Sequence, residues 1–101
     1  MGSEITNRDT GVRGGRLRTA AQLGALFRTE RKRRGLTLAD VYDATGLSTR
    51  FLSEFERGKE NASVGRVLRA LESLGLEVLV LPRATSQRVL RAVRAEHRTE
   101  E

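Results

Sequence analysis

Cysteine is absent from the 101-residue chain, so it can build neither a disulfide framework nor a thiolate metal site. The single histidine, His97, lies near the C-terminus and reads as a solvated tail residue. One imidazole supports neither a metal cluster nor a His-based catalytic constellation. No other catalytic grouping stands out, so neither an enzyme nor a bound cofactor or metal is expected. Aromatics make up 4% of the chain and hydrophobic residues 38%, enough for one small helical core. No apolar run approaches a membrane span, and the N-terminus lacks an apolar signal core. The expectation is therefore a soluble, cytoplasmic protein without membrane contact. What the chain has in excess is positive charge. Its 19 Lys and Arg stand against 13 acids, a net +6 that favours an anionic partner. Basicity alone would serve solubility equally well.

Residues Thr37–Gly58 give that charge a context. Thr37 is a good N-cap, and Leu38, Val41 and Tyr42 fall on one helical face. Gly46 can take a left-handed conformation and end the helix. Leu47 re-enters the core, and Ser48 caps a second helix whose inner face is Leu52 and Phe55. Gly58 ends that helix. Two helices joined by a glycine turn form the helix-turn-helix pattern, whose second helix enters the DNA major groove.

The stretch A-T-G-L-S-T-R-F-L-S-E-F-E-R-G-K resembles the helix-turn-helix of the Xre/Cro/phage-repressor family. The resemblance rests on the turn glycine, the apolar residue after it, a further apolar residue five positions on, and an E-x-G-K ending at Glu56–Lys59. Tyr42 stands where the family usually has Ala, and Leu38 where it usually has Gln. A bulky Tyr42 is expected to alter how the two helices pack, and Leu38 removes a usual phosphate-contacting amide. The resemblance also implies a partly buried bidentate ion pair between Arg31 and Glu56.

Residues 1–18 hold several glycines and arginines without apolar periodicity and read as a flexible arm. A DNA-following basic arm and a disordered leader both fit, and the acids among its arginines favour the leader. Residues 19–75 form the DNA-binding domain. Thr19–Gln22 reads as a capping box opening a first helix with the apolar stripe Leu23, Leu26 and Phe27. Arg28 and Arg31–Arg34 crowd the C-terminal end of that helix, where positive charge suits the helix dipole. Ser63 is expected to cap a later helix whose core face is Val64, Val67, Leu68, Leu71 and Leu74.

Residues 76–82, L-E-V-L-V-L-P, read as a strand bounded by Gly75 and Pro82. One strand cannot satisfy its own backbone groups, and the simplest partner is the same strand of a second copy. Leu76, Val78 and Val80 would share one face, with Leu79 and Leu81 on the other beside Glu77. A short extended tail packed on its own helices is the alternative. A basic amphipathic helix or tail fills residues 83–101, with Val89, Leu90 and Val93 among Arg88, Arg91, Arg94 and Arg98.

The expected fold is thus mainly α: a phage-repressor-like domain of four to five helices plus one C-terminal strand in an intersubunit β-ribbon. A Xre-type domain with such a strand resembles the HipB-like antitoxins over about residues 20–82. That resemblance implies repression of the protein's own operon and a HipA-like kinase toxin as partner. By position in the pattern, Thr49, Arg50, Ser53 and Glu54 are the candidates for reading bases. Thr37, Ser48, Arg57, Lys59 and Asn61, with Arg33 or Arg34, are the candidates for phosphate contacts. The expected partners are a palindromic duplex operator, a second copy, and the toxin. A stand-alone Xre-type regulator, and an interaction module that no longer reads DNA, remain as alternatives.

Overall fold

In a computed structural model, the backbone is described for residues 6–7, 12–13 and 15–100, and side chains for residues 15–95. Most of the expected N-terminal arm, and the side chains of His97 and Arg98, lie outside the described residues. The chain divides into two units, Leu17–Val78 and a second comprising Met1–Arg16 with Leu79–Glu101.

The first unit holds four helices: α1 (Ala20–Arg33), α2 (Leu38–Thr45), α3 (Thr49–Glu56) and α4 (Val64–Ser73). Each begins at a Ser or Thr whose hydroxyl accepts a hydrogen bond from an amide three residues on: Thr19, Thr37, Ser48 and Ser63. At α2 this becomes a reciprocal capping box, because Asp40 Oδ2 also accepts from the Thr37 amide at 2.8 Å. At α1 the expected box is not closed. Gln22 Oε1 reaches one residue further back and accepts from the Arg18 amide at 2.7 Å.

The core gathers Phe27 from α1, Val41 from α2, Leu47 from the turn, Leu52 and Phe55 from α3, and Ala70, Leu71 and Leu74 from α4 and its end. Phe27 and Phe55 meet with ring centroids 5.2 Å apart. Two expectations need correction. Tyr42 is half exposed and stays out of the packing, because Val41 and the half-buried Leu38 and Thr45 already fill the inner face of α2. On α4, Val64 and Leu68 are exposed, and the small Ala70 is fully buried in their place. Residues 76–82 are in no sheet ladder among the described residues of the single chain, and the expected ladder is one with a second copy. Leu76 packs against the core, while Val78, Leu79, Val80 and Leu81 are exposed, Val80 at 91%.

The second unit holds one helix, α5 (Arg83–Glu100), which starts directly after Pro82 and is longer than the sequence suggests. The Pro82 carbonyl accepts from the Ser86 amide at 2.9 Å. It also contains a short antiparallel pairing of β1 (Thr6–Asn7) with β2 (Val12–Arg13), which the absence of apolar periodicity there gave no reason to expect. Among the described residues, no helix is long and apolar enough to cross a membrane.

Candidate nucleic-acid interface

The α2–α3 turn is closed by one side chain. Thr45 Oγ1 donates to the Val41 carbonyl at 2.7 Å and accepts from the Leu47 amide at 3.0 Å. Gly46 takes φ 77°, the left-handed conformation that lets the chain reverse, and Leu47 drops into the core. The start of α3 is thereby fixed. Leu52 and Phe55 face inward, so the opposite face carries Thr49, Arg50, Ser53 and Glu54. Thr49 and Arg50 are exposed, and Ser53 and Glu54 are half-buried.

Three close backbone approaches fix α3 against α1. A Cβ on Gly24 would collide with the Phe55 carbonyl oxygen and come within 2.9 Å of the Glu56 carbonyl oxygen. One on Gly58 would lie 2.8 Å from Ala21 Cα. Only glycine at both places lets the two helices sit this close. The Gly24 contact escaped the sequence reading, because a glycine inside a helical pattern carries no local sign of its tertiary neighbour.

Beside this seam, Arg31 Nε and Nη2 donate to Glu56 Oε2 and Oε1 at 2.6 and 3.0 Å. Both side chains are nearly buried. The remaining Arg31 nitrogen, Nη1, donates to the Leu36 carbonyl at 2.7 Å, tying the α1–α2 loop into the same joint. Glu56 holds the Arg31 guanidinium charged, its pKa raised above the usual arginine value against the opposing effect of burial.

Arg33 and Arg34 are engaged elsewhere. Glu30, 2% exposed, accepts from Arg33 Nη2 at 2.6 Å and from Arg34 Nε at 2.8 Å. The Arg33 hydrogen bonds, helped by Arg34 and opposed by burial, hold the Glu30 carboxyl at about 2 instead of 4.5. Two of the five cations of the α1 cluster thus neutralise a buried acid, which the helix-dipole reading missed.

Of the other candidates for phosphate contact, Thr37 and Ser48 use their hydroxyls as caps and remain exposed, as do Arg57 and Asn61. Lys59 folds back toward α3: its amide donates to the Glu54 carbonyl at 3.1 Å and its Nζ to Glu54 Oε1, also at 3.1 Å. Glu54 Oε2 meanwhile accepts from Arg50 Nε at 3.4 Å. Lys59 foremost, with Arg50, lowers the pKa of the Glu54 carboxyl. Among the described residues, no group of His, Cys, Asp or Glu could hold a metal ion.

A helix-turn-helix domain model matches residues 22–84. An uncharacterized HTH-type transcriptional regulator of Sinorhizobium fredii, y4mF, is 36% identical over 66 residues, covering 65% of this chain and 87% of the relative. Two solved structures share the fold at a TM-score of 0.63. A HipB–O4 20mer complex is 21% identical and spans 66% of this chain and 94% of its own. A complex of a HipB serine-to-alanine variant with an O2 20mer is 22% identical and spans 66% and 93%. Motif, fold and relatives agree, and this chain belongs to the helix-turn-helix domain family, with a fold similar to that of HipB.

Proposed function

We propose that the protein is a dimeric, sequence-specific DNA-binding repressor that serves as the antitoxin of a HipBA-like type II toxin–antitoxin system and controls its own operon. Its coarser character is that of a DNA-binding regulator with a helix-turn-helix fold. The observation that carries the reading is the outer face of α3. Arg50, its side chain 88% exposed, stands at the N-terminal end of a helix whose inner face and cap are fully committed. That is the end of a recognition helix that reaches base edges. Arg50 suits a bidentate contact to guanine. Thr49, Ser53 and Glu54 share its face, and Thr37, Ser48, Arg57, Lys59 and Asn61 flank it for phosphates. Arg33 and Arg34 are the weaker members of that set, since Glu30 already engages both.

The exposed run from Val78 to Leu81 supports pairing with a second copy. Both of its faces are largely apolar and its backbone has no ladder partner among the described residues. Pairing about a two-fold axis would set the two recognition helices near one DNA turn apart, about 34–36 Å. The antitoxin role, with a HipA-like kinase toxin as partner, is supported by the sequence resemblance and by the fold shared with HipB.

Selection from a random duplex pool, followed by titration across salt concentrations, tests the DNA-binding reading. A palindromic consensus is expected, together with a binding constant that falls steeply with salt. A chain that enriches no sequence is the interaction module instead. Co-expression with any kinase encoded beside it tests the antitoxin role, with neutralised toxicity expected. A neighbourhood without such a kinase leaves a stand-alone regulator.

A further inference from the structure

On the outer face of α3, one acid is shared by two cations of different assignment. Glu54 Oε2 lies 3.4 Å from Arg50 Nε, on the residue placed to read a base. Glu54 Oε1 lies 3.1 Å from Lys59 Nζ, on a residue placed to grip a phosphate. The Lys59 amide is also bonded to the Glu54 carbonyl, so the left-handed turn at Gly58 returns the lysine to this carboxylate. Three quarters of the Glu54 side chain is screened from solvent, whereas Arg50 is almost free. The carboxylate is therefore the fixed member of the trio.

We propose that Glu54 is a specificity-determining residue that penalises binding to arbitrary DNA by holding Arg50 and Lys59 and by presenting its own negative charge to the duplex. This rests on the DNA-binding reading above. A phosphate that draws Lys59 away leaves the Glu54 carboxylate facing a polyanion with one counter-charge fewer. Against random sequence nothing replaces the lost partner, so every nonspecific complex carries the same penalty. At a matched site, Arg50 moves to a guanine edge and the Glu54 carboxylate accepts from a cytosine N4 amine, the donor that the major groove presents to an acid. The penalty is then offset by that contact. A device of this kind raises the specific-to-nonspecific ratio without raising absolute affinity.

Glu54→Gln tests this. The amide keeps the shape but removes the charge and leaves a single acceptor oxygen, so Arg50 and Lys59 are no longer both held. Binding of the wild type and E54Q is measured to the duplex selected with the wild type and to a scrambled duplex of equal length, each across a salt series. Scrambled-DNA affinity is expected to rise roughly three- to tenfold in E54Q, with the selected-to-scrambled ratio falling. In a double-mutant cycle, Lys59→Gln is expected to cost more scrambled-DNA affinity in the E54Q background, where no carboxylate charge holds the lysine, than in the wild type. Equal thermal melts for wild type and E54Q exclude a folding effect on these numbers. Unchanged scrambled-DNA affinity in E54Q, or additive behaviour of the two substitutions, overturns the proposal and leaves the DNA-binding reading intact. A wild type that binds no duplex overturns both.

Discussion

The Arg31 guanidinium and the Glu56 carboxylate meet edge to edge, at 2.6 and 3.0 Å, across the joint between α1 and α3. Breaking this pair strands whichever charge remains in a nearly buried position. Glu56→Ala or Arg31→Ala is expected to lower the unfolding free energy by about 3–5 kcal/mol. Arg31→Lys should lose most of that as well, because an ammonium cannot donate in parallel to both carboxylate oxygens and also reach the Leu36 carbonyl. Urea unfolding of the three variants measures this; a lysine variant as stable as the wild type would show that charge alone suffices.

Glu30 gives a pH dependence of known sign. Its folded-state pKa, about 2, lies below the ordinary 4.5. The stabilisation is therefore fully present above about pH 4.5 and is lost as the pH falls toward about 2. Allowing for the half-exposed arginines that supply it, the contribution is about 1–3 kcal/mol. Asp40 and Glu54 also have lowered pKa values. The informative quantity is thus the wild type minus Glu30→Gln difference in unfolding free energy across pH 2–6. That difference is expected to shrink on acidification; a flat difference would mean that Arg33 and Arg34 contribute no net stabilisation through this acid.

Alanine at Gly24 and alanine at Gly46 should fail for different reasons. In a helix interior alanine normally gains about 0.5–1 kcal/mol over glycine. At Gly24 the added methyl group meets backbone carbonyls of α3, so a loss of about 1–3 kcal/mol is expected, with α3 displaced. At Gly46 no atom lies within 4 Å, and the strain is that of the left-handed backbone alone, about 1–2 kcal/mol. Thermal melts give the stability of each. Amide chemical shifts along α3 distinguish them, since they should move broadly in G24A and stay close to wild type beyond the turn in G46A.

Val78→Pro probes assembly. Within one chain Val78 is half exposed and outside any ladder among the described residues, so proline should leave the Leu17–Val78 unit folded. In a paired ribbon it removes a ladder donor. The expected result is a monomer with a wild-type helical melt and operator affinity reduced toward the nonspecific level. Sedimentation as a dimer, with full affinity for a palindromic duplex, would exclude the ribbon.

Helix starts and stops were legible in this sequence because Ser, Thr and Gly act on backbone groups only a few residues away. The turn chemistry at Gly46 and the inner face Leu52–Phe55 follow from such local signals. The misreadings involve distance. Ala70 is fully buried, yet it contributes little to an apolar stripe, so the larger Leu68 and Val64 took its place in the expected core. Glu30 pairs with Arg33 and Arg34 at the local spacings i,i+3 and i,i+4, but its burial depends on how α1 packs and is not written in that spacing. At the candidate site, pairing of Arg50 with Glu54 follows from i,i+4 spacing. The engagement of Lys59 does not, since it depends on how the chain turns after the helix ends. Residues 76–82 have the alternation of a strand, but a ladder requires a second strand, and the described part of one chain supplies none.

Where Gly24 faces the Phe55 and Glu56 carbonyls, and Gly58 faces Ala21, main chain lies directly against main chain. A joint made this way has no rotamers to exchange. The core around Phe27, Leu52 and Leu71 can change its side chains and repack, as cores of conserved volume do, without turning α3 relative to α1. The orientation of α3 is in that sense insulated from sequence drift in the interior. It is set by the spacing of two backbones and changes only when that spacing changes, as with a side chain added at Gly24.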